Sequence, residues 1–188
     1  MTSGPSILFT EFATRTDPVL RGWADFRAQV LAGARTAQGR TDARGAAEPT
    51  SEPRTRRTDA AAPGIRSGIW RLVAPNHREV ARSLYLYESL SQAKDHVRDL
   101  QDGDRVVTVR LVKGPFAGQH GWVASVDDVA IMSCGRWYSA SSLGRESAQY
   151  SLEALKSARL AETSRATSRV ASPNRAAVRS GAQKEPAW

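Results

Sequence analysis

The stretch Gly103-Asp104-Arg105-Val106-Val107-Thr108-Val109-Arg110-Leu111-Val112-Lys113-Gly114-Pro115-Phe116-Ala117-Gly118-Gln119-His120-Gly121-Trp122-Val123 decides how this chain folds. Val107, Val109 and Leu111 alternate, as a strand with one buried face requires, and Gly114-Pro115 with Gly118 breaks the run into a loop. Gly121 opens a second strand, in which Trp122, Ala124 and Val126 alternate with Val123 and Ser125. Asp127-Asp128 supplies a turn, Val129 to Cys134 a third strand, Gly135-Arg136 another turn, and Trp137-Tyr138 the start of a fourth. Short antiparallel strands at this spacing predict a small curled sheet or barrel.

Toward the N-terminus, Ile69 to Ala74 reads as a strand, Pro75-Asn76-His77 as a turn and Arg78 to Ser83 as the returning strand. Leu84 to Tyr87 offers a third short strand. Ser89 followed by Gln92 has the form of a capping box, opening a helix with Leu90, Ala93, Val97 and Leu100 on its inner face, and Gly103 ends it. Toward the C-terminus, Ala148, Leu152 and Leu155 recur at helical steps, predicting a helix over 145–162. The expected class is therefore α+β: a small ββ(β)α unit over 66–101, then a barrel over 102–144.

Further out, Asp17 can cap a helix that Pro18 begins. Val19, Leu20, Trp23, Phe26, Val30 and Leu31 then fall on one stripe, within an amphipathic N-terminal segment 1–35. Two readings stand: a helix docked on the chain's own core, or a partner-binding helix presenting Trp23, Phe26 and Val30 on a tether. From Thr36 to Gly64 there is no Leu, Val, Ile, Met or aromatic residue. Such a segment buries too little apolar surface to offset roughly 1–2 kcal/mol of backbone entropy per residue, so 36–65 is expected to be a disordered linker, and 163–188 a disordered basic tail.

The chain has 188 residues, 27 Lys+Arg against 19 Asp+Glu, and an apolar fraction of 40%. That length excludes a large multidomain enzyme. The net charge of +8 raises the prior for an anionic partner, yet residues 66–155 hold eleven basic and ten acidic groups. Basicity concentrates in 156–188, where Arg165, Arg169, Arg175 and Arg179 would align if the tail became helical on a polyanion; a tail serving only solubility fits equally. The single cysteine, Cys134, precludes an intramolecular disulfide, and no Cys/His set has zinc-site spacing. The first ten residues lack a charged leader, and no apolar run is long enough for a signal or a membrane span, so a cytoplasmic location without membrane contact is expected.

The segment 103–143 resembles a KOW motif, the hairpin of SH3-like barrels in NusG-type transcription factors and several ribosomal proteins. Gly103-Asp104, Val109, Lys113-Gly114-Pro115-Phe116, Gly118, Gly121 and Val123 carry the likeness. The stretch from Gly103 to Gly114 is longer than usual, implying a longer first strand or a bulge. Residues 69–101, with Trp70-Arg71-Leu72-Val73-Ala74-Pro75-Asn76, Val80 to Ser83 and Tyr87, look like the ββα unit of the YegP-like family, with His77 where a turn glycine is usual.

The KOW resemblance implies contact with RNA, the ribosome or RNA polymerase. Glycine-rich backbone around Gly114 and Gly118 would bring amides to phosphates, and Arg105, Arg110, Lys113 and Arg136 would neutralise them. Phe116, His120 or Tyr138 would stack on bases, at ~1–3 kcal/mol each. Against this, Phe116 and Trp122 could plug a barrel and the four cations merely solvate it. No Walker loop, Gly-x-Ser-x-Gly elbow or His-Glu-x-x-His helix is present. The expectation is a non-catalytic RNA-binding accessory protein without cofactor or metal. The rival is a protein adaptor docking through its N-terminal helix.

Overall fold

In a computed structural model that describes residues 4–14, 16–39, 67–161 and 165–166, all strands join one mixed sheet. In chain order the elements are β1 (Ser6–Phe12), α1 (Pro18–Gly39), β2 (Ser67–Val73), β3 (Glu79–Ser83), α2 (Leu90–Asp102), β4 (Val107–Lys113), β5 (His120–Val126), β6 (Val129–Cys134), α3 (Ser141–Ser157), β7 (Arg159–Leu160) and β8 (Arg165–Ala166). The strands lie in the order β4-β5-β6-β3-β2-β1-β7, with β8 also pairing with β1.

The class is α+β as expected, but the barrel is not there as a closed unit. Strand β6 pairs with β3, through Ala81↔Cys134, Arg82↔Ser133 and Ser83↔Met132, so the 102–144 strands extend the sheet begun by β2 and β3. Residues 66–101 and 102–144 are thus continuous through that ladder. The fourth strand at Trp137-Tyr138 shrinks to a single bridge, His120↔Tyr138, and the Leu84 to Tyr87 strand to Gly68↔Tyr87. The extra length before Gly114 is a longer strand, since β4 and β5 pair without a register shift.

Strand β1 has no counterpart in the sequence reading. Ile7 and Phe9 are buried on one face and Phe12 on the other, and all seven residues pair with β2. Its inclusion exposes an internal repeat: β1-β2-β3-α2 recurs as β4-β5-β6-α3. Trp70 and Trp122 occupy matching positions, as do Tyr87 and Tyr138, each two residues before the N-cap of the helix that follows. The Arg82↔Ser133 pair marks the pseudo-twofold axis relating the halves.

Local chemistry sets the boundaries. Asp17 Oδ1 accepts from Val19 N at 2.8 Å, capping α1 ahead of Pro18. Ser89 Oγ accepts from Gln92 N at 3.2 Å, while Gln92 Oε1 takes Glu88 N, one residue earlier than in the standard box. Asp127 and Asp128 both have positive φ, 49° and 63°, which a two-residue hairpin matched to strand twist demands. His77 sits at φ 62°, so the histidine occupies a left-handed conformation that glycine would adopt without strain. Helix α3 starts at Ser141 and stops at Ser157, short of the predicted 162, and the chain then re-enters the sheet as β7.

Helices α2 and α3 cover one face, against a core that includes Trp70, Leu72, Trp122 and Met132. Helix α1 lies across the other. Its first half buries Leu20 and Trp23 against Phe12 and Ile69, and Val30 meets Leu84, Val112 and Val123 near the far edge. Trp23 Nε1 donates to Ser83 O at 2.9 Å and Arg27 Nε to Leu84 O at 2.6 Å. Phe26 packs on Trp137 at a centroid distance of 5.2 Å, with the Arg82 guanidinium 5.0 Å from its ring. Of the two readings of this helix the docked one fits: Trp23, Phe26 and Val30, the residues named for an external partner, are spent on the chain's own sheet, because 22 helical residues span about 33 Å and reach across it. The helix also runs four residues beyond Arg35. The rest of the expected linker, 40–66, lies outside the described residues, as does the tail except Arg165–Ala166, which form β8 rather than a disordered segment.

Replacing a buried indole removes both its packing and its hydrogen bond. Trp23→Ala should lower the unfolding free energy by about 3–5 kcal/mol in a denaturant titration; a change within about 0.5 kcal/mol would mean α1 is not docked.

Candidate nucleic-acid interface

The sequence-predicted residues divide by strand parity. On β4, Val109 and Leu111 face α2 and α3 with Lys113, whereas Arg110 lies on the α1 face opposite Val123. Arg105 precedes the other end of the strand, whose seven residues span about 20 Å between it and Lys113. The four cations therefore do not form one patch.

What the fold does bring together is a row at one end of the sheet. Lys113 stands opposite His120, His120 bridges to Tyr138, and the Arg136 guanidinium lies 5.1 Å from the Tyr138 ring. Lys113 and Arg136 are exposed and His120 and Tyr138 half-buried. The Tyr138 hydroxyl shares a hydrogen bond with Ser147 Oγ, which also accepts from Trp122 Nε1 at 3.2 Å, so the ring is pinned to α3. Beyond Arg136 the row opens into a cleft of about 530 Å3 lined by Asn76, Arg78, Tyr138, Leu143, Glu146 and Tyr150, among others. Tyr150 and Leu143 are 41% and 44% exposed, leaving apolar surface beside the cations. Arg78, Asn76 and Tyr150 escaped the sequence reading. The available signal for Tyr150 was an aromatic off the buried stripe of its helix.

The glycine loop behaves differently from expectation. Gly114 N donates to Gln119 O at 2.8 Å, Gln119 N to Phe116 O at 3.2 Å, and Phe116 N to Gln119 Oε1 at 3.3 Å. With Pro115 lacking an N–H, the bend spends these amides on its own closure, and a phosphate cradle at Gly114 does not form. Glycine is needed there for space, since a Cβ would sit 2.6 Å from Gln119 Cβ. Gly118 is exposed at φ 77°, and Phe116 is 72% exposed, so it plugs nothing; Trp122 is the buried ring. For the tail residues, Arg165 is placed only by its backbone in β8, and Arg169, Arg175 and Arg179 lie outside the described residues.

Elsewhere, Cys134, Tyr87 and His96 are built into the packed core and its hydrogen bonds. Burial pushes the Cys134 thiol up to about 11, which keeps it protonated and unreactive near neutrality. In the N-terminal repeat, Trp70 Nε1 donates to Tyr87 Oη at 3.0 Å and Tyr87 bonds His96 Nδ1. An indole can only donate, so Tyr87 Oη accepts from Trp70, and the direction of its bond to His96 Nδ1 is set by the imidazole tautomer. Among the described residues no cluster of three or more His, Cys, Asp or Glu could hold a metal ion, and no helix is long and apolar enough to cross a membrane. No family model, curated protein or solved structure matches this chain.

Burial holds the His96 pKa below its ordinary 6.5, aided by the Arg105 guanidinium and opposed by the Asp99 carboxylate, which raises it. The unfolded chain therefore binds the extra proton first, and stability should fall as pH drops from 6.5 toward the depressed folded value. Urea unfolding at stepped pH should show this loss, and His96→Gln should flatten it.

Proposed function

We propose that this chain is a non-catalytic, cytoplasmic nucleic-acid-binding accessory protein that contacts RNA or a ribonucleoprotein such as the ribosome or RNA polymerase. The observation that carries the reading is the row Lys113, His120, Tyr138 and Arg136 beside the cleft of α3. Two exposed cations flank two rings there, a combination suited to holding a backbone phosphate on either side of an unstacked base. The KOW-like likeness enters through the β4–β5 hairpin, with Phe116 at its tip as an added stacking surface, and the basic tail adds affinity without sequence preference. Glu79 and Glu146 also line the cleft, which favours a narrow contact along the row over a broad electrostatic one.

The test is binding of the full chain to single-stranded and structured RNA at two salt concentrations. Lys113→Ala with Arg136→Ala should weaken binding and lower the slope of log K against log salt by about 1.4, the share of two phosphate contacts on a single strand. An unchanged slope would remove the row from the interface.

A further inference from the structure

The two repeats differ at their outer strands. Ile7 pairs with the residue two after Trp70, and Val109 with the residue two after Trp122, so β1 and β4 are equivalent edges. The β1 edge is occupied. Arg159 N donates to Pro5 O at 3.0 Å and Ala161 N to Ile7 O at 2.9 Å, adding β7 in parallel, with β8 further along. Ile7 beneath it is fully buried, whereas its counterpart Val109 is 39% exposed and Val106 80%. Among the described residues β4 pairs only with β5.

The direction of the β4 backbone groups follows from the ladder. His120 exchanges both main-chain bonds with Tyr138, at 2.8 and 2.7 Å, so its N–H and C=O point away from β4. Its partner Lys113 is therefore a non-hydrogen-bonded position, and alternation makes Leu111, Val109 and Val107 the same. Of these, Val107, Val109 and Leu111 aim N–H and C=O at the open edge, whereas Lys113 O lies against Gly33 of α1; Val107 and Val109 occupy the places of Pro5 and Ile7, whose carbonyls are filled in the other repeat. A groove of about 520 Å3, lined by Ala32, Gly33, Leu111, Lys113 and Pro115 among others, lies between α1 and the end of this edge.

We infer that the β4 edge is a docking site for an extended, acidic peptide segment of a partner protein, added parallel to β4 as β7 is added to β1. The chemistry of the guest follows from charge. Arg105 just before β4 and Lys113 at its end are exposed, against the single acid Asp104, so acidic side chains complement the strand and basic ones oppose it. Charge also disfavours a second copy, because antiparallel β4–β4 pairing about the strand centre sets Arg110 against Arg110. Apolar residues at alternate guest positions would cover Val109 and Leu111.

Selection of a random peptide display library against the full chain, counter-selected with Val109→Pro, tests this. Proline there removes an edge-directed N–H and no β4–β5 bond, a substitution that edge strands accept. The expected result is enrichment of acidic, alternately apolar peptides that slow hydrogen exchange at Val109 and Leu111 and bind Val109→Pro at least about tenfold more weakly. RNA binding by that variant should be unchanged, which separates this site from the row at Arg136. Should Val109→Pro unfold, Val109→Lys serves the same comparison. No enrichment, a basic consensus, or equal binding to the variant would overturn the proposal. So would a concentration-dependent dimer lost in Val109→Lys, which would give the edge to a second copy.

Discussion

Three residue pairs between β3 and β6 hold the two halves of this protein in one sheet, and a junction so short cannot carry the fold on backbone bonds alone. It is clamped from both faces. On one side Gln101 Nε2 of α2 donates to Leu155 O and Ala158 O at the end of α3, each at 2.8 Å, tying the helices of the two repeats together. On the other, α1 crosses the pseudo-twofold axis and takes the carbonyls of Ser83 and Leu84 through Trp23 and Arg27. Ser83 and Ser133 at the junction are fully buried, small enough for the strands to approach and for helices to close over them.

The single α1 is what makes the two halves unequal. It is inserted between β1 and β2, where the second repeat has only the tight Gly114–Gln119 loop. That loop closes on its own amides and leaves Phe116 outside, while the chain that follows α3 returns to seal β1. Among the described residues a duplicated scaffold thereby has one finished edge and one open edge. The row at Arg136 and Tyr138 is not repeated in the first half, because Arg136 and Ser147 stand where the first repeat has Tyr85 and His96.

Much of the secondary structure was legible. The alternation in β4 to β6, the paired aspartates of the hairpin, the Ser89 cap and the Asp17-Pro18 start are local signals, and each fixes its element through bonds within a few residues. Strand β1 was not legible. Ser6 to Phe12 is buried on both faces and shows no clean period, so it reads like any short apolar run. The repeat was hidden for a related reason. Its identical positions are few, Trp70 with Trp122 and Tyr87 with Tyr138, and others match only in role, as Ser83 and Cys134 do in accepting from the main-chain N–H of those tryptophans.

Taken alone, the sequence determined an α+β chain with a near-neutral core, a glycine-punctuated hairpin and an amphipathic first helix, because these depend on composition and on neighbours along the chain. Only the tertiary structure decided that the hairpin extends an open sheet, that Trp23 and Phe26 are internal, and that Lys113 joins Arg136 while Arg110 does not. Those outcomes rest on which strand pairs with which, and strand pairing is chosen by burial on both faces at once, a quantity no local window of residues contains.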